Sequence, residues 1–102
     1  MRKPRELSIE KHLYDEVILL GGFCIKLNPL WNIGVPDRLV AVRIGIGRDA
    51  HTLFAFVELK RPKGGRLSVT QKWWKKRLDA MHIPYYVLHT KELVNQFLNG
   101  DL

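Results

Sequence analysis

The chain has 102 residues, 46% of them hydrophobic and 10% aromatic, and its 17 Lys+Arg against 10 Asp+Glu leave a net charge of +7. That length suits one domain, and the apolar content is enough for one real core, which excludes a disordered basic tail. The excess charge is concentrated: eight basic residues and no acidic one lie between Lys60 and Arg77, and the rest of the chain is close to neutral. A focused positive field on a folded domain points to a polyanionic partner, nucleic acid before a membrane surface.

Other classes fall away on local features. Cys24 is the lone cysteine, so neither an internal disulfide nor a thiolate metal cluster can form, and it reads as a small core residue. The longest apolar run, from Val17 to Leu20 and weakly on to Phe23, is far below the ~20 residues of a membrane span. Glu6, Glu10, Asp15 and Glu16 interrupt the apolar stretch that a signal peptide would need after the basic start. The expectation is a soluble, cytoplasmic protein with one domain over residues 1–102.

In chain order, Arg5 to Leu20 has helical periodicity, with Leu7, Leu13, Tyr14, Val17 and Gly21 on one arc and Lys11, His12, Asp15 and Glu16 on the other. Gly21-Gly22 ends that helix, and Phe23 to Leu27 resumes as a strand. Asn28 to Pro36 reads as a loop running into Gly34-Val35-Pro36-Asp37. Arg38 to Ile44 and Leu53 to Lys60 read as strands of one hairpin, with turn residues from Gly45 to Asp49 between them. In the second strand Leu53, Ala55, Val57 and Leu59 share one face, and Phe54, Phe56, Glu58 and Lys60 share the other. Ser68-Val69-Thr70-Gln71 has the S/T-x-x-E/Q pattern of a capping box, opening a helix to about Met81. A short strand from Tyr85 to Leu88 and a last helix from Lys91 to Leu98, capped by Thr90 and closed by Gly100, complete the order α-β-β-β-α-β-α.

Three acids stand where chemistry is possible. The predicted hairpin sets Asp37 beside Glu58, and Glu58 and Lys60, two apart in a strand, project from the same face. Such a carboxylate pair can hold a divalent cation while the lysine reaches a phosphate oxygen or the attacking water. The same spacing also suits an ion pair on an exposed hairpin. Glu10 falls within the apolar arc of the first helix, where a carboxylate needs a cationic partner or a metal. Gln71 faces the sheet with Trp74 and Leu78, and it also serves the cap. The four histidines, His12, His51, His82 and His89, form no metal-ligand spacing.

Gly34-Val35-Pro36-Asp37, then Phe56-Val57-Glu58-Leu59-Lys60 with Pro62 and Gly64-Gly65, then Ser68-Val69-Thr70-Gln71 and Trp74, resemble the VRR-NUC domain. This is the virus-type replication-repair nuclease branch of the PD-(D/E)xK superfamily. The resemblance spans Glu10 to about Leu88, and it implies an α/β restriction-endonuclease-like core with a central mixed sheet flanked by helices. It also implies metal-dependent phosphodiester hydrolysis with Mg²⁺ or Mn²⁺ and no small-molecule cofactor. Asp37 and Glu58 would be metal ligands with the Leu59 backbone carbonyl, Lys60 the catalytic lysine, Glu10 the first-helix glutamate and a further candidate ligand, and Gln71 the supporting glutamine. The family often has a glycine before its last strand, where this chain has His82-Ile83-Pro84.

Stand-alone members resemble homodimeric, phage- or prophage-encoded endonucleases that act on branched DNA such as Holliday junctions. Lys63, Arg66, Lys72, Lys75 and Lys76 are the expected phosphate contacts, and Gly64-Gly65 would let their loop follow a backbone. Of Trp73 and Trp74, one is expected in the core and the other at an interface or on an unpaired base. Phe97, Leu98 and Leu102 are expected to be exposed and available to a dimer contact. The alternative readings are a non-catalytic nucleic-acid-binding module and a flap or linear-DNA nuclease of the same superfamily.

Overall fold

Helices α1 (Arg5–Leu19), α2 (Val69–Ala80) and α3 (Lys91–Asn99) enclose strands β1 (Phe23–Lys26), β2 (Arg38–Ile44), β3 (His51–Leu59) and β4 (Tyr85–Leu88) in a computed structural model that describes residues 5–27 and 34–102. Residues 28–33 of the predicted loop and residues 1–4 of the basic start lie outside the described residues, as does the side chain of Leu7. The strands form one sheet in the order β1-β2-β3-β4, antiparallel except for the parallel β3–β4 pair, so it is the mixed sheet expected. A short 3₁₀ turn, Gly47–Asp49, joins β2 to β3.

Register assigns each side chain to a face. Val40 stands between Cys24 and Ala55, and Leu59 pairs with Leu88; these residues, with Val42, Ile44 and Val57, form the core face under α1 and α3. Phe23 and Ile25 of β1, Leu39 and Ala41 of β2, Phe54, Phe56 and Glu58 of β3, and Tyr85 and Val87 of β4 occupy the opposite face, where α2 packs chiefly against β4.

Two expectations are corrected. The buried stripe of α1 is Ile9, Leu13 and Val17 at i, i+4, i+8, with Tyr14 exposed, because Ile9 supplies the apolar contact that the predicted arc omitted. Glu10 therefore sits at the edge of the stripe rather than within it. Phe97, at 1% exposure, and Leu98 are not available for association. They lie on the inward stripe of α3, and Phe97 packs its ring 4.9 Å from that of Tyr86.

The three helices end alike. Gly22 N–H returns to Val17 O, Ile83 N–H to Leu78 O, and Asp101 N–H to Gln96 O, each closing the six-residue ring that follows a left-handed residue. Gly21 and Gly100 supply that residue for α1 and α3, but α2 uses His82 at φ 58°. The position demands a left-handed backbone, which glycine adopts freely. A non-glycine residue there costs about 1–2 kcal/mol, offset in part by the entropy glycine loses on folding. His82→Gly should raise stability by roughly 0.5–1 kcal/mol in urea denaturation. An unchanged or lower midpoint would show that the His82 side chain contributes more than its backbone costs.

Candidate active site

The site forms where the loop before β2 meets the end of β3 and the start of α2. Gly34, at φ +84°, makes this junction close: a Cβ there would lie 2.6 Å from the Thr70 side chain in the first turn of α2. The chain then passes through Pro36 to Asp37. Asp37 O accepts from Leu27 N–H at 2.9 Å, and its Oδ2 accepts from Leu59 N–H at 2.8 Å. The backbone of β3 thereby fixes the Asp37 carboxylate beside Glu58.

Glu58 is 2% exposed and is the buried charged residue of the domain among those described. Its Oε2 accepts from Gln71 Nε2 at 2.8 Å and lies 3.5 Å from Lys60 Nζ. Its Oε1 is buried with no hydrogen-bond partner. Burial first, and the Asp37 carboxylate second, push the Glu58 pKa up to about 8 against the opposing pull of Lys60. Two adjacent carboxylates, one with an unpaired oxygen, make a donor set that suits a hard divalent cation.

Gln71 fills both roles open to it. Its Oε1 accepts from the Ser68 N–H at 2.8 Å while Ser68 Oγ accepts from Gln71 N–H, completing the capping box. The same side-chain amide then uses its nitrogen on Glu58.

Glu10 stands apart from this group. Arg38 donates to Glu10 Oε2 from Nε at 3.1 Å and Nη2 at 2.8 Å, and from Nη1 to Cys24 O. Arg38 pairs with Val57 on the α1 face, whereas Glu58 projects on the face of α2. Among the described residues, no three His, Cys, Asp or Glu side chains gather as a metal-holding group.

Tyr85 was not singled out from sequence. Its hydroxyl is buried with no hydrogen-bond partner, Lys75 Nζ lies 6.0 Å from its ring centroid, and burial, then Glu58 and Asp37, raise its pKa. It follows Phe56 across the sheet, a neighbourhood set by strand order and invisible in local spacing. Lys75 bonds Asp79 one turn along α2 at 2.7 Å, and the exposed cations of this region are Arg61, Lys63, Arg66, Lys72, Lys76 and Arg77. Gly65 is needed for packing more than for freedom, since a Cβ there would lie 2.6 Å from Arg61 O and 3.0 Å from Lys60 Cβ.

Two comparisons with known proteins bear on this site. The chain is 40% identical over 93 residues to "Putative nuclease p44" of Acyrthosiphon pisum secondary endosymbiont phage 1, covering 91% of each. It superposes on a solved structure described as "VRR_NUC domain" with a TM-score of 0.75 and 22% identity, covering 92% of this chain and 94% of that one. The chain belongs to the VRR-NUC family. No family model matches the sequence, so the VRR-NUC assignment rests on the phage relative and on the shared fold. The fold agrees with the α/β expectation for a VRR-NUC domain, a mixed four-stranded sheet flanked by helices.

The raised Glu58 pKa has a consequence for stability. The folded protein holds this proton more tightly than the unfolded chain, so the contribution is full below the unfolded value near 4.5 and is lost as pH rises toward about 8. In chelator, wild-type stability relative to Glu58→Gln should fall between pH 5 and pH 8. A difference between the two that stays constant over this range would show that Glu58 carries no raised pKa.

Proposed function

We propose that this VRR-NUC chain is a metal-dependent, structure-selective DNA endonuclease that hydrolyses phosphodiester bonds in branched DNA such as Holliday junctions, with Mg²⁺ or Mn²⁺ as cofactor. The observation that carries this reading is the unpaired, buried Oε1 of Glu58 next to the Asp37 carboxylate and the Lys60 ammonium. A purely structural ion pair would leave neither a carboxylate oxygen orphaned nor a second carboxylate beside it. Asp37 and Glu58 would hold the ion, with the Leu59 backbone carbonyl as a further oxygen ligand. Bound there, a divalent ion would activate water and neutralise the charge that develops on the phosphate.

The chain's own residues do the rest. Lys60, mostly buried and tethered by Glu58, presents a fixed positive charge to the scissile phosphate without reorganising during the reaction. Gln71 holds one Glu58 oxygen, so the other would be left in place to bind a metal ion. Glu10 fixes Arg38, the residue after Asp37, and so steadies the start of β2. Lys63, Arg66, Lys72 and Lys76 meet the DNA backbone, with Lys75 at the inner margin of the same surface. No covalent intermediate is required. No helix among the described residues is long and apolar enough to cross a membrane. A phage relative fits action on DNA inside an infected bacterium.

Asp37→Ala and Lys60→Ala should each abolish cleavage of a four-way junction while leaving DNA binding within a few-fold, and chelator should stop the wild type. The assay compares junction, flap, duplex and single-stranded DNA with and without Mg²⁺. Full activity of purified Asp37→Ala would overturn the assignment.

Paired cuts in a four-way junction require two sites, and one chain carries one, so we infer a homodimer. Support comes from the sheet face that α2 leaves open. Phe23, at 67% exposure, with Ile25 and Phe54, lines two neighbouring rungs there, an apolar patch of the kind that marks association. Phe54→Glu should convert a dimer to monomer in sedimentation at micromolar concentration. A wild type that sediments only as monomer would remove the dimer.

A further inference from the structure

The helix that carries Gln71 has a second face that the catalytic reading does not use. Gln71, Trp74, Lys75 and Leu78 lie on the inner side of α2, with Leu78 buried. Val69 and Trp73 fall on the outer side, 84% and 53% exposed, with Met81 exposed at the helix end. Exposed apolar side chains of this size on a basic helix call for an occupant.

Trp73 is exposed but held. Its ring meets that of Trp74 edge to face, with centroids 5.6 Å apart and planes at 86°, and the Arg77 guanidinium lies over it 5.2 Å from the centroid. Two neighbours thus fix the indole while more than half of the residue stays open. A pre-set aromatic plane with a cation beside it is the arrangement on which a nucleobase stacks at little entropic cost.

Charge decides between occupants. Lys72 and Lys76 flank Trp73, Arg66 precedes the helix, and none of these or Arg77 pairs with an acid among the described residues. A second copy meeting this face would bring the same positive charges into contact. A nucleic acid would bring phosphates.

We propose that Trp73, backed by Arg77, is a stacking platform for an unpaired base of the DNA substrate. The inference rests on the DNA-cutting reading and narrows it: the preferred substrate is DNA with bases out of the duplex, such as the open centre of a junction, a flap or a single strand. The strand reaches Trp73 over residues 61–67 and the start of α2, which join the platform to Lys60. Arg77 contributes positioning, since it sits on the indole and adds charge beside the stacked base.

The test uses the full chain in chelator, where binding is read without cutting. Fluorescence anisotropy of labelled four-way junction, flap, single strand and fully paired duplex is measured with wild type, Trp73→Ala and Trp73→Phe. Trp73→Ala should weaken binding to the first three by about 5- to 100-fold and to duplex by less than twofold. Trp73→Phe should restore most of the loss, and DNA-induced quenching of tryptophan emission should shrink in both variants. Equal loss on all four DNAs, no loss on any, or a change of oligomeric state in Trp73→Ala would overturn the proposal. Mg²⁺-dependent cutting by the wild type is scored separately. Cutting without the binding preference sinks the platform alone, and the preference without cutting sinks the nuclease reading alone.

Discussion

The bond from Gln71 to Glu58 is the contact on which the arrangement of the site depends. A carboxylate that has lost nearly all contact with water is costly unless its oxygens are engaged. Here one oxygen is held by an amide that is itself fixed by the capping box of α2. The start of the helix, the end of β3 and the loop through Gly34 are thus tied at one point. Asp37 is drawn in from the other side by the Leu59 N–H. Local helix chemistry and the geometry of the carboxylate pair are parts of the same structure, so weakening the cap should disturb both.

The sheet separates two tasks. Its face under α1 and α3 is closed by aliphatic side chains and by the Tyr86–Phe97 contact, with the Glu10–Arg38 pair partly buried at the margin. Its face toward α2 carries Glu58, Tyr85 with its unpartnered hydroxyl, and the exposed phenylalanines of β1 and β3. Stability comes chiefly from the first face. The second keeps unsatisfied polar atoms and open apolar surface, the usual mark of a face that meets something else.

Much of this was legible from the residues, and the reason is locality. Strand alternation placed Glu58 and Lys60 together, S-x-x-Q announced the cap, and G-x-P-D marked the turn that presents Asp37. The β2 and β4 limits fell where the turn residues placed them. What escaped depends on contacts distant in sequence. Ile9, not Tyr14, faces the core because of how α1 rolls onto the sheet. Phe97 and Leu98 looked free only until α3 was seen to pack inward. Tyr85 joins the site through the parallel β3–β4 register, and of the partners open to Glu10 the cation is Arg38, since both side chains lie on the α1 side of the sheet. His82 takes the left-handed backbone that glycine supplies at the ends of α1 and α3.

The central claim is that Asp37 and the free oxygen of Glu58 together make a site for a divalent cation. Calorimetric titration of Mn²⁺ into the protein without DNA tests it most directly, because it needs neither substrate nor turnover. Saturable binding is expected in the wild type, retained in Trp73→Phe, and lost in both Asp37→Ala and Glu58→Gln. Binding that survives both carboxylate substitutions unchanged, or a wild type that takes up no Mn²⁺, would contradict it.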